Sequence, residues 1–147
     1  MTLNYGEHDI DFIKLEKSLL HCCEDCDLNE TDGCDGSKCL VGFAKKVVKF
    51  SKTNGSLTIS GGATLIPKSD FKIYQMEPVA YTLAETCKQC KQCRENHTDD
   101  CIVALTRKSI ENTMLKENIT YPGSVLMYLM QVGKQNPELA QKIKEML

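Results

Sequence analysis

A chain of 147 residues, 41% of them hydrophobic, suits one compact domain with a core of its own. Its net charge of −2 supplies no basic field for nucleic acid or an anionic membrane surface. No stretch approaches the ~18 apolar residues that span a bilayer. Residues 1 to 17 are polar and acidic, without a basic start, an apolar run or a small-residue cleavage site, so no secretory signal is expected.

In chain order, Asp9 to Leu20 spaces Ile10, Ile13, Leu19 and Leu20 as a helix does. Five cysteines follow, and Asp35 or Ser37 can cap a second helix from Cys39 to Phe50 that Gly55 can end. Lys45, Lys46, Lys49 and Lys52 on this helix read as a solvated face. The period then changes: Leu57–Ile59 and Ala63–Ile66 flank Gly61-Gly62 as a hairpin would, and Phe71–Met76 alternates like a third strand. Pro78 opens a helix through Tyr81, Leu83 and Ala84, and Thr98 or Asp99 can cap the next, from Cys101 to Ile110 and beyond. Pro122 to Val132 is apolar nearly all round and is expected to be buried, with Met127 and Met130 as core fillers and Gly133 as its stop. Asn136-Pro137 starts a last amphipathic helix with Leu139, Ile143, Met146 and Leu147 on one side.

The nine cysteines, about 6% of the chain, carry the chemistry. Cys23-Glu-Asp-Cys26-Asp-Leu-Asn29-Glu-Thr31-Asp32-Gly-Cys34 and Cys90-Lys-Gln-Cys93-Arg-Glu-Asn96-His-Thr98-Asp99-Asp-Cys101 both read C-x2-C-x2-N-x-T-D-x-C. Six identities recur at a constant offset of 67 positions, the mark of an internal repeat. The Asn, Thr and Asp between the cysteines suit turns and helix starts, because their side chains bond nearby amides. The Asn29 and Asn96 sequons are then by-products of turn chemistry, and a chain without a secretory route carries no sugar.

Cys39 adds to the first copy and Cys87 to the second, so each half can supply four thiolates: Cys23, Cys26, Cys34 and Cys39, then Cys87, Cys90, Cys93 and Cys101. Cys22 is left over; it and His97 could substitute as ligands. In a reducing compartment clustered cysteines hold metal or act as redox thiols rather than forming structural disulfides. Cys87-x2-Cys90-x2-Cys93 has the opening spacing of a ferredoxin cubane loop, though the C-x3-C-P ending is absent. C-x2-C pairs also build zinc knuckles, but Asp27 and Lys91 or Arg94 stand where a knuckle favours a small residue. A thioredoxin-like dithiol lacks its βαβ setting. No phosphate loop, dinucleotide glycine motif, nucleophile elbow or H-E-x-x-H is present.

The second cluster, with Tyr121-Pro-Gly-Ser-Val-Leu-Met-Tyr-Leu-Met130, resembles small cysteine-rich proteins of methanogenic archaea that are regarded as iron–sulfur proteins. The resemblance covers about the last 60 residues and implies an anaerobic cytoplasm and iron–sulfur chemistry; it brings no active site with it.

The expectation is therefore a single α+β domain over 1–147. Two helix–Cys-loop–helix units, 9–55 and 78–116, surround a small antiparallel β-meander at 56–77, with C-terminal helices at 121–147. The expected function is a cytoplasmic iron–sulfur protein with two 4Fe-4S clusters, serving a larger redox enzyme by electron transfer or as an accessory subunit, and with no nucleic-acid or membrane partner. A zinc-binding adaptor for protein–protein contact is the alternative.

Overall fold

The structure is a computed structural model that describes residues 11–24, 39–68, 70, 73–92, 100–120, 122 and 124–147, with the backbone alone at 90–92. Among the described residues the regular elements are helices: α1 (Phe12–Cys23), α2 (Leu40–Asn54), a short 3-10 turn (Gly62–Leu65), α3 (Met76–Gln92), α4 (Ile102–Glu111), α5 (Val125–Gln135) and α6 (Pro137–Met146). The described chain is thus all-helical and contains no β-strand, which overturns the α+β expectation.

Each helix starts and stops for local reasons. Asp11 caps α1, its carboxylate accepting from the Lys14 amide at 3.0 Å. Gly55 ends α2 with φ 75°, a left-handed conformation that a Cβ disfavours. Ser124 caps α5 through the Met127 amide, and Asn136-Pro137 opens α6 through the Leu139 amide. Gly133 does not stop α5, which runs on to Gln135; there a Cβ would meet only Ala140 Cβ at 3.7 Å.

Four helices form a ring in which α1 packs on α2 and α3, and α4 packs on the same two. The directions follow from side-chain partners. Cys23 of α1 meets Lys45 and Glu16 meets Lys52, so α1 and α2 run antiparallel. Thr82 Oγ1 donates to the Ser18 carbonyl at 3.0 Å, while the Asp11 amide donates to Gln89, so α1 and α3 are also antiparallel. Ser109 Oγ donates to the Leu40 carbonyl at 2.6 Å, which sets the end of α4 against the start of α2. Two helical hairpins, α1–α2 and α3–α4, therefore pack head to tail.

The expected meander fails because its strand-like stretches find partners elsewhere. Leu57 and Ile59 bond across to Asp100 and Ile102, around one antiparallel bridge between Thr58 and Cys101. Gly61 is left-handed at φ 71° and leads into a 3-10 turn, not a hairpin. Gly62 lies against α4; a Cβ there would come within 2.7 Å of Leu105 Cδ1. Met76, expected to end a third strand, instead opens α3.

The second correction concerns α5. Only Tyr128 and Val132 of this helix are buried, and Leu126 is 70% exposed, with Met127 and Met130 also exposed. The reason is position. The helix rests on α6, and α6 covers α3, so a single stripe of α5 faces inward.

Helix α4 is the axis of the core, buried on all sides from Ile102 to Thr106. Its two charged core residues, Arg107 and Glu111, pair at 3.1 Å one turn apart with almost no exposure. Glu111 also accepts from Tyr128 Oη at 2.8 Å, Asn118 Nδ2 at 3.0 Å and the Ile119 amide at 3.1 Å. Arg107 donates in addition to the Ile119 carbonyl and sits over the Tyr128 ring. Burial and the adjacent Glu111 carboxylate hold the Tyr128 hydroxyl well above the ordinary phenol range. Replacing Glu111 by Leu leaves the Arg107 guanidinium buried without its carboxylate. A loss of about 3–5 kcal/mol is expected, a third or more of a typical domain's stability, read as a lower denaturant midpoint.

Candidate metal centre

Cysteine positions follow from helix ends. Cys22 and Cys23 are the last two residues of α1, and Cys39 is the N-cap of α2. Cys87 and Cys90 lie in the last two turns of α3, and Cys101 is the N-cap of α4. Because the hairpins pack head to tail, Cys22, Cys23 and Cys39 gather at one end of the bundle. Cys87, Cys90 and Cys101 belong to the other, where α3 ends beside the Asp11 start of α1. The two ends are separated by roughly the 12-residue length of α1, about 18 Å. Cys26, Cys34, Cys93 and His97 lie outside the described residues.

At the first end, Cys22 is within electrostatic reach of both Cys23 and Cys39. Lys45 Nζ is 3.5 Å from Cys23 Sγ. Cys39 Sγ accepts from the Gly42 amide at 3.3 Å, so a sulfur takes the capping role that the sequence assigns to Asp35 or Ser37. The Tyr74 hydroxyl stands 3.7 Å from the same sulfur. It also donates to Asp70 Oδ2, and that oxygen accepts from the Leu40 amide at 2.8 Å. Burial, then the Asp70 contact, keeps Tyr74 protonated far beyond the ordinary phenol range. The Lys45 ammonium and the Gly42 amide are donors aimed at sulfur, which a metal-bound thiolate requires of its surroundings, whereas the single Tyr74 proton goes to Asp70.

Cys22 differs from its neighbours. Its sulfur lies 3.5 Å from Thr82 Oγ1. Burial pushes its thiol up to about 11; the Thr82 contact works the other way, and Cys23 and Cys39 add to the rise. A thiol that the fold favours in its protonated form suits a residue left over from the ligand set. Cys22 and Cys39 form no disulfide.

At the second end, Cys87 is 1% exposed and close enough for its charge to act on Tyr128. Cys101 is held in the Thr58 bridge, between the Leu57–Ile102 and Ile59–Asp100 backbone bonds. It replaces the expected Thr98 or Asp99 cap, with no side-chain bond to the helix amides. Among the described residues no group of three His, Cys, Asp or Glu side chains is placed to hold a metal ion. Each fourfold set expected from the sequence includes at least one cysteine beyond those residues.

Three residues around the first sulfurs were not legible as site residues. Lys45 read as solvated surface, and Asp70 and Tyr74 read as parts of the β-meander. Nothing in their local sequence points at Cys39, 31 and 35 positions away. His21 pairs with Glu24 at 3.3 Å and stacks near Tyr81, lining an open cleft of about 590 Å³ with Glu77 and Lys142, and no cysteine lines it. Among the described residues no helix is long and apolar enough to cross a membrane. Comparisons with protein-family models, curated proteins and solved structures matched none of them.

The raised Cys22 thiol has a measurable consequence. The fold favours the protonated form, so its contribution to stability is complete below the ordinary value near 9 and drains away as pH rises towards about 11. In metal-free protein the wild type should lose stability across that window more steeply than Cys22→Ala, measured by denaturant unfolding at each pH.

Proposed function

We propose that this chain is a cytoplasmic iron–sulfur protein that carries one thiolate-ligated centre at each end of its helical bundle. It passes electrons to a larger redox enzyme or docks on it as an accessory subunit. The observation that carries this reading is the placement of Cys23 and Cys39 at the same end of two antiparallel helices, with Lys45 beside the one sulfur and the Gly42 amide and Tyr74 beside the other. Cys26 and Cys34 would complete that set from the connecting segment. Cys87, Cys90, Cys93 and Cys101 would form the other. The repeated C-x2-C-x2-N-x-T-D-x-C pattern supports two like centres, and the cubane-type spacing from Cys87 supports iron–sulfur over zinc. The likeness to cysteine-rich proteins of methanogens points the same way.

Purification without oxygen should give a brown protein with roughly four irons and four sulfides per centre. A colourless protein with stoichiometric zinc defeats the reading and establishes the zinc adaptor instead. The separation of the ends adds a sharper expectation. Cys23→Ser or Cys39→Ser should remove about half of the iron, and Cys101→Ser the other half, each with helicity retained by circular dichroism. Cys22→Ala should leave the iron content unchanged.

A further inference from the structure

The outer face of the α1–α2 hairpin carries a feature that the first thiolate centre touches only through Lys45. Ile13, Glu16, Lys17 and Leu20 form one stripe of α1, and with Lys45 and Lys49 of α2 they line a groove of about 290 Å³. Ile13 is 60% exposed and Leu20 53% exposed, so two large apolar side chains stand open to water. They are seven residues apart, about 10 Å along the helix. Three ammonium groups border them. The one carboxylate in the groove, on Glu16, is 2.8 Å from Lys52 Nζ and so is already neutralised. A chain whose net charge is −2 thus presents a locally positive, apolar-floored groove.

We propose that this groove docks an acidic amphipathic helix of a partner protein. Two apolar positions two turns apart are the spacing that such a helix presents at i and i+7, with an intermediate anchor at i+3 or i+4. The lysine borders select Glu or Asp on its flanks. A second copy of this chain is the wrong occupant, because a symmetric contact through this face would set lysine against lysine. The groove also has a defined end: Lys45 lies 3.5 Å from Cys23 Sγ, so a docked helix terminates beside the first cysteine set. Docking itself does not depend on what those cysteines hold.

The test uses the full chain purified without oxygen, with metal content measured on the same sample. Absence of metal and absence of docking are then separate results. The probe is a fluorescently labelled synthetic helix with Leu at i, i+3 and i+7 and Glu on both flanks, followed by anisotropy. Saturable binding is expected, at least tenfold tighter than for the same peptide with Gln in place of Glu, and weakening with salt. The double variant Lys17→Glu, Lys49→Glu should bind at least tenfold more weakly and should recover binding to a Lys-flanked peptide. Ile13→Ser with Leu20→Ser should abolish binding while the circular dichroism spectrum stays the same. Equal affinity for the Glu and Gln peptides, or no effect of charge reversal, overturns the proposal. So does self-association lost in the Ile13/Leu20 variant, or binding to phosphatidylserine vesicles in place of the peptide.

Discussion

The head-to-tail packing of two helical hairpins decides where everything else lies. It is held at its crossings by small hydroxyl side chains turned onto main-chain carbonyls, Thr82 onto Ser18 and Ser109 onto Leu40. These bonds satisfy buried polar groups while leaving the helix backbones close together. Antiparallel packing then sends the two cysteine-bearing connections to opposite ends. Had the hairpins packed side by side in the same sense, all the sulfurs would share one end and a single mixed site would be the natural expectation.

Four buried cysteines belong to the core that sets this packing, but its centre is built without sulfur. Its axis is α4, and its polar centre is Glu111, which draws Arg107, Asn118, Tyr128 and the Ile119 amide onto one carboxylate. That knot ties the turn after α4 and the C-terminal hairpin to the four-helix ring. Cys23, Cys39 and Cys101 sit at the core's margins, at helix ends, where backbone amides and neighbouring side chains can address them. Cys87 is the exception, deep against Tyr128.

Much of the helical framework was legible from local signals. Apolar spacing with cap and proline signals located each of the six helices among the described residues, Gly55 marked the end of α2, and Asn136-Pro137 marked the start of α6. The errors came where a local pattern was answered by a distant partner. Leu57–Ile59 alternates like a strand, but its backbone partner is residues 100–102, more than 40 positions on, and the pairing stops after one bridge. The apolar character of 122–132 was real, yet composition does not say which neighbour a helix meets, and α6 takes the place beside α3. The caps were misread because Ser, Thr and Asp are the better acceptors, while the chain starts α2 and α4 at cysteines. One missed feature did carry a signal: Arg107 and Glu111 stand at i and i+4, the spacing of an ion pair within one helix. The repeated spacing of the cysteines suggests two sets; that the described cysteines of the two copies lie at opposite ends of the bundle was not legible, since it follows from tertiary packing.

Separate poles give the molecule a geometric freedom that a single mixed cluster would lack. A body approaching one pole would leave the opposite one open, so the two poles do not share one approach surface. Because the connections differ in length, with 15 residues between Cys23 and Cys39 against eight between Gln92 and Cys101, the poles are not copies. Such a molecule presents two unlike ends.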